Sequence, residues 1–233
     1  MTITPAAPAL YDASTRGLRI ALIDDHQLLT HSLALALQLE GVATIVPDLS
    51  DVSDRDALVS EVAAARPDLV LLDLELGGAI GDGSTLVAPL VAAGCRVLVV
   101  SASDDREQVG RAMELGAAGM LRKDVAFTHL LDGALAAARG EEVMAPGARQ
   151  RLLDDARAIR TRRSEDLKPF QRLSAREAEV LRALALGRPV GAIAVAAYVS
   201  QATVRSQVRA VLTKLGVSSQ LEAVALAHRY GWL

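Results

Sequence analysis

The sequence predicts an α/β domain built on a doubly wound sheet of five parallel strands, followed by a smaller all-α domain of four helices. Three observations carry this prediction. Short apolar runs alternate five times with amphipathic helical stretches. The run at 69–72 is apolar throughout and is bounded by Pro67 before it and Gly77-Gly78 after it. That is the pattern of a strand covered by helices on both faces. Charge is also split along the chain. Residues 18–140 carry nine Lys and Arg against 18 Asp and Glu, whereas residues 171–233 carry eight against three. An acidic half joined to a basic half predicts two domains with different partners.

The elements follow in order. The strand at 18–23 runs into Asp24-Asp25. A Leu-rich helix at 27–39 is stopped by Gly41. His26 between them reads as a helix-start residue, because a lone His is no zinc site. A strand at 42–46 and a helix at 54–65, capped by Ser53 or Asp54, lead to the strand that ends in Asp73. A loop with four glycines turns over that strand end and enters a helix at 84–93. The strand at 97–100 ends in Ser101, and a helix covers 105–115. The fifth strand, 118–121, precedes Lys123, and a helix covers 125–139. Such an alternation predicts the strand order 2-1-3-4-5. Helical composition returns at 148–163, with Leu152, Leu153, Ala156 and Ile159 on one face and Arg157, Arg160, Arg162 and Arg163 making it locally basic.

In the basic half, Ser174 with Glu177 three residues on forms a capping box, and the helix it opens stops at Gly187. A short helix covers 190–197. Ser200 caps a longer one at 201–215, stopped by Gly216, and a last helix covers 219–230. The longer helix has Val204, Val208, Val211, Leu212 and Leu215 on one face and Arg205, Ser206 and Arg209 on the other. Two short helices with a tight turn, the second basic, read as a helix-turn-helix. Charge pattern alone divides evenly between that and a four-helix bundle with a solvated basic face. The domain boundaries expected from all this are a disordered tail at 1–17, a sheet domain at 18–140, a partly helical linker at 141–170 and a helical domain at 171–233.

Composition sets the setting. Of 233 residues, 51% are hydrophobic and 3% aromatic, so the cores are built from aliphatic side chains. Cys95 is the single cysteine, so no intramolecular disulfide forms, which fits a reducing cytoplasm. No apolar run approaches the roughly 18 residues that cross a bilayer. No membrane association is expected.

Four predicted strand ends carry Asp24-Asp25, Asp73, Ser101 and Lys123. Each has an ordinary explanation: an Asp forms turns or caps helices, a Ser caps, a Lys is solvated. Their coincidence at one sheet edge reads as an aspartate that accepts a phosphoryl group. A hard divalent cation, Mg2+, would neutralise charge during transfer, and the Ser hydroxyl and Lys ammonium would bind phosphoryl oxygens.

On these residues, positions 18–140 resemble the flavodoxin-like receiver domain of two-component response regulators. The resemblance implies Asp73 as phosphoacceptor, Asp24, Asp25 and Asp73 around Mg2+, and Ser101 and Lys123 as the switch hydroxyl and the phosphoryl-binding lysine. Three departures stand out. Gly77 replaces a common proline, the loop after Asp73 is about two residues longer, and Met120 occupies the switch position usually held by an aromatic. Glu75, two residues past the acceptor, sits where it can tune phosphoryl lifetime.

Residues 172–233 resemble the LuxR-type helix-turn-helix of NarL/FixJ-type response regulators. The matching text is Leu173 to Leu181, Gly187, Ile193-Ala194, Ser200 to Val204 and Lys214 to Val217. Arg205, Ser206 and Arg209 would then face base edges, with Ser200, Thr203 and Lys214 at phosphates. Gly191-Ala192 and Gln207 depart from the usual polar pair and His, and Glu177 reads as a buried structural acid. The function implied is a cytoplasmic DNA-binding transcription factor, not an enzyme beyond its own phosphoryl transfer and autodephosphorylation. A sensor histidine kinase would phosphorylate Asp73, and the active homodimer would bind double-stranded DNA. An orphan regulator controlled without phosphorylation is the alternative. A phosphatase or nucleotide-dependent enzyme is the other rival. It lacks both the G-x-G-x-x-G and the Walker fingerprint and leaves the basic domain unexplained.

Overall fold

The computed structural model describes residues 17–50, 54–103 and 105–233. The tail expected at 1–17 therefore lies, apart from Gly17, outside the described residues, as does Ser53. The chain divides into two compact units, Met1–Arg157 and Ala158–Leu233.

The N-terminal unit holds five parallel strands: β1 (Arg19–Ile23), β2 (Ala43–Ile45), β3 (Leu69–Leu72), β4 (Val97–Ser101) and β5 (Gly119–Arg122). Their order is β2-β1-β3-β4-β5, as the alternation of elements predicts. Five helices connect and cover them: α1 (Gln27–Leu39), α2 (Arg55–Ala64), α3 (Ser84–Ala92), α4 (Arg106–Glu114) and α5 (Phe127–Ala138). Successive strand side chains point to opposite faces, and both faces are apolar here. Ala21, Ile23, Val70, Leu72, Val97 and Val99 join one core with residues of α2, α3 and α4. Ile20, Leu22, Leu69, Leu71, Leu98 and Val100 join the other with residues of α1 and α5. β3 and β4 are buried along their whole length, which explains their uninterrupted apolar sequence. Each fully buried Leu or Val contributes on the order of 1.5–3 kcal/mol of transfer free energy.

Caps settle where the helices start. Asp54 accepts a hydrogen bond from the Asp56 amide at 2.9 Å and caps α2. Asp105 accepts from the Glu107 and Gln108 amides and caps α4. Ser101 is thus released from the capping role that its position also allowed.

The linker helix α6 runs Ala148–Gln171, longer than the expected stretch ending at residue 163. It continues through Pro169 because Leu167 and Phe170, past the basic stretch, are drawn into the core of the C-terminal unit. Its first turns belong to the N-terminal unit and lie against α4 at very short range. A Cβ on Gly110 would meet the Ala156 Cβ at 2.2 Å and the Leu152 carbonyl oxygen at 2.8 Å. Polar clamps flank that contact. Arg149 donates to the carbonyls of Ala117 and, at 3.0 Å, Met113, and Arg106 pairs with Asp155. Ile159, on the same face in sequence, is exposed.

The C-terminal unit contains the rest of α6 and four helices: α7 (Ala175–Ala185), α8 (Val190–Ala196), α9 (Gln201–Leu215) and α10 (Gln220–Arg229). The expected capping box is formed, with Ser174 and Glu177 bonding reciprocally. Gly216 ends α9 in the left-handed conformation, which suits glycine. Val204, Val208, Val211 and Leu215 are buried on α9, and Leu212 is half buried. Near the end of the chain, Trp232 stacks on Phe170 with ring centroids 5.3 Å apart, and the Arg182 guanidinium lies 4.9 Å over its ring.

Candidate functional site

The sheet register brings the chemistry together. Ile23 pairs with Leu72, Leu72 with Val99, and Ser101 with Arg122. Asp24, Asp73, Ser101 and Lys123 therefore end four adjacent strands at one edge of the sheet. There Lys123 donates to Asp73 Oδ2 at 2.6 Å and lies 2.7 Å from Asp24 Oδ2. Asp73 is 2% exposed, and the side chains of Lys123 and Asp24 are nearly buried. Ser101 is fully buried, and its Oγ accepts from the Ser103 amide at 3.0 Å.

Burial pushes the Asp73 carboxyl above the usual carboxylate range. The Lys123 hydrogen bond and charge pull it back without cancelling the effect, and Asp24 adds to the rise. A buried carboxylate beside two others is short of positive charge. Among the described residues, Asp24, Asp25, His26 and Asp73 are the one group whose donor atoms could surround a metal ion. Three carboxylates are hard oxygen donors, and two of the four residues are exposed, leaving room for water ligands. The residues fit a hard divalent cation.

The loop after Asp73 explains one departure from the common pattern. The Gly77 amide donates to Asp25 Oδ2 at 2.8 Å, a hydrogen bond that the usual proline could not give. The Glu75 amide donates to Asp73 Oδ1 at 3.2 Å. Gly83 passes so near Asp73 that a Cβ there would meet the Asp73 carbonyl oxygen at 2.0 Å. Met120 is half buried against the core shared with α4. It borders a cleft of about 600 Å3 lined also by Ser103, Val109 and Leu152.

Sequence reasoning placed His26 at a helix start. The structure adds that its ring points into the acid cluster, with Nδ1 3.1 Å from Asp25 Oδ1, 3.2 Å from Asp24 Oδ1 and 3.3 Å from Lys123 Nζ. The only signal in the sequence was adjacency to the acid pair, which does not fix a side-chain direction.

In the C-terminal unit, Arg205, Ser206 and Arg209 are exposed on α9, opposite its buried valines. The Arg205 guanidinium rests on Gln201 Oε1 at 3.2 Å. Ser200 caps α9 by accepting from the Thr203 amide at 3.1 Å, and the two hydroxyls lie 2.9 Å apart, both exposed. Lys214, expected at a phosphate, also meets an acid of its own domain. Its ammonium is 2.5 Å from Glu177 Oε2, because Glu177 is buried and needs a counter-charge. Lys214 thus ties α9 to the start of α7.

That pair has a pH signature. The Lys214 hydrogen bond, then the Ser174 amide, hold the Glu177 carboxyl below its ordinary range. A depressed carboxylate contributes stability above its unfolded value of about 4.3 and loses it as pH falls through the lower folded value. Glu177→Gln is therefore expected to lower the stability of the C-terminal unit by about 1–2 kcal/mol at neutral pH. The loss should vanish in acid below both values. Urea midpoints of the two chains across that range check it, and a constant gap would refute it.

Comparison with known proteins agrees with this geometry. The response regulator receiver domain family matches residues 20–134, and the luxR family of bacterial regulatory proteins matches residues 171–227. The chain is 35% identical over 211 residues to a probable transcriptional regulatory protein NarL of Mycobacterium tuberculosis H37Rv, covering 91% of this chain and 94% of that protein. It is 30% identical over 210 residues to the nitrate/nitrite response regulator protein NarL of Escherichia coli K12, covering 90% and 94%. Among solved structures, the response regulator ChrA of a heme-sensing two-component system aligns at 29% identity and a TM-score of 0.44, over 93% of this chain and 98% of that one. With a receiver sheet and a LuxR-type DNA-binding domain in one chain, this protein belongs to the NarL/FixJ-type response regulators.

Proposed function

We propose that this protein is a transcription factor switched by phosphorylation of Asp73 from a partner histidine kinase. The observation that carries the proposal is Lys123, which bridges Asp73 Oδ2 and Asp24 Oδ2 at the carboxyl edge of the sheet. An Oδ atom of Asp73 forms the new O–P bond as the donor's N–P bond breaks. Lys123 then exchanges its contact with the carboxylate for one with a phosphoryl oxygen, and Ser101 donates to another. Mg2+ held by Asp24, Asp25 and Asp73 would neutralise charge on the transferring group. Burial of Asp73 keeps competing water away from the acyl phosphate.

The output is the exposed face of α9. Arg205, Ser206 and Arg209 are placed to read base edges in a major groove, and Ser200 and Thr203 to meet a phosphate at the helix start. Lys214, partly exposed beside Glu177, is a further phosphate contact at the far end of α9. Two copies would read paired half-sites.

The test is sedimentation of the full chain with Mg2+, with and without beryllofluoride, which mimics the aspartyl phosphate. A shift from monomer to dimer that disappears in Asp73→Asn is the expected result. If neither mass nor DNA affinity responds, the phosphorylation switch is wrong. The alternative, a regulator controlled without phosphorylation, is favoured by one observation, Met120 where an aromatic switch usually stands.

A further inference from the structure

We propose that His26 is a nitrogen ligand of the divalent-cation site, so that this receiver favours a first-row transition-metal ion over Mg2+. The inference rests on the cation site assigned above and deepens it. His26 Nδ1 is 3.1 Å from Asp25 Oδ1, 3.2 Å from Asp24 Oδ1 and 3.7 Å from Asp73 Oδ2. One donor atom from each of these four residues lies within 4.8 Å of every other. Adjacent donors on a six-coordinate ion with bonds of about 2.1 Å are roughly 3 Å apart. The imidazole nitrogen thus occupies the place of a neighbouring vertex to the two carboxylates, not that of a distant bystander.

The ring is held in that direction locally. The His26 amide donates to Asp24 Oδ1 at 2.9 Å, which fixes the turn that starts α1 and aims the side chain back over the acid pair. The ring is 64% exposed, and besides the carboxylates its Nδ1 meets the Lys123 ammonium at 3.3 Å, a contact an ion at the site would replace. The chemistry decides the selectivity. Mg2+ takes oxygen ligands and gives up water reluctantly, so an imidazole adds little to its binding. Transition-metal ions accept imidazole readily while still accepting carboxylates. A site of three carboxylates and one imidazole therefore raises affinity for the second group of ions without weakening it for the first.

Mn2+ is the probe, because it is paramagnetic and accepts both donor types. Full-length protein loaded with Mn2+ is examined by pulsed EPR for modulation from an imidazole nitrogen. In parallel, Mn2+ and Mg2+ affinities are measured by titration for wild type, His26→Gln and Asp25→Asn. The expected result is nitrogen modulation in wild type that is lost in His26→Gln, although that variant still binds Mn2+. The preference for Mn2+ over Mg2+ should fall about tenfold with it, the scale on which changes around a metal alter its affinity. Mn2+ bound without nitrogen modulation, or modulation that persists in His26→Gln, overturns the role of His26 and leaves the cation site standing. Failure of wild type to bind Mn2+, or undiminished binding in Asp25→Asn, overturns the cation site itself and the inference with it.

Discussion

Asp73→Asn is expected to abolish phosphoryl acceptance altogether. With a labelled acyl phosphate or phosphorylated kinase as donor, wild type should acquire acid-labile, base-labile label and the variant none. Asn keeps the size of the side chain but has no anionic oxygen to attack phosphorus. The variant is not expected to be unstable. Burial holds the Asp73 carboxyl above its ordinary range, so its charged form costs folding free energy. A group whose folded value is raised loses stability as pH climbs from its unfolded value through its folded one. Removing the charge removes that cost, and Lys123 keeps Asp24 as partner. The metal-free melting temperature of Asp73→Asn should therefore not fall below that of wild type. Label on the variant would remove Asp73 from the acceptor role, and a collapsed melting temperature would refute the account of its burial.

Arg205→Ala should weaken binding to a specific duplex by about 1–3 kcal/mol, roughly 5- to 150-fold, if the guanidinium reads a guanine. Arg205 is exposed at the start of α9 and donates to Gln201. Its loss leaves the buried valines on the opposite face of α9 untouched, so the helix itself should survive. Binding to random duplex should drop much less, because non-specific affinity comes from phosphates. Anisotropy titrations against a duplex selected from a random pool, and against its scrambled version, measure both. Equal affinities of variant and wild type for the selected duplex would take Arg205 out of the interface.

Much of this was legible in the chain before any coordinates. Short apolar runs, caps and glycine stops located the helices and strands of the described residues to within a few positions, except that α6 ran past its expected end. The reason for the exception is physical. Leu167 and Phe170 are held by a core assembled from residues distant in sequence, and local composition around Arg163 carries no trace of that pull. The same limit governs the site. Asp24, Asp73 and Lys123 could be placed together because strand ends in a parallel sheet converge. The direction of the His26 ring, the amide of Gly77 on Asp25 and the bond from Lys214 to Glu177 could not. Each joins side chains or loops whose geometry no periodicity encodes, across separations as long as 97 residues for His26 and Lys123.

Trp232 is the single tryptophan of the chain, and it is clasped between Phe170 and Arg182 in the C-terminal unit. Nature has thereby built a spectroscopic tag into one half of the molecule. Emission excited at the red edge of the aromatic band reports the C-terminal unit alone, while the N-terminal unit stays dark. Comparing that emission with far-ultraviolet dichroism of the whole chain during denaturation would show whether the two halves melt as one body or in succession, with no dye attached.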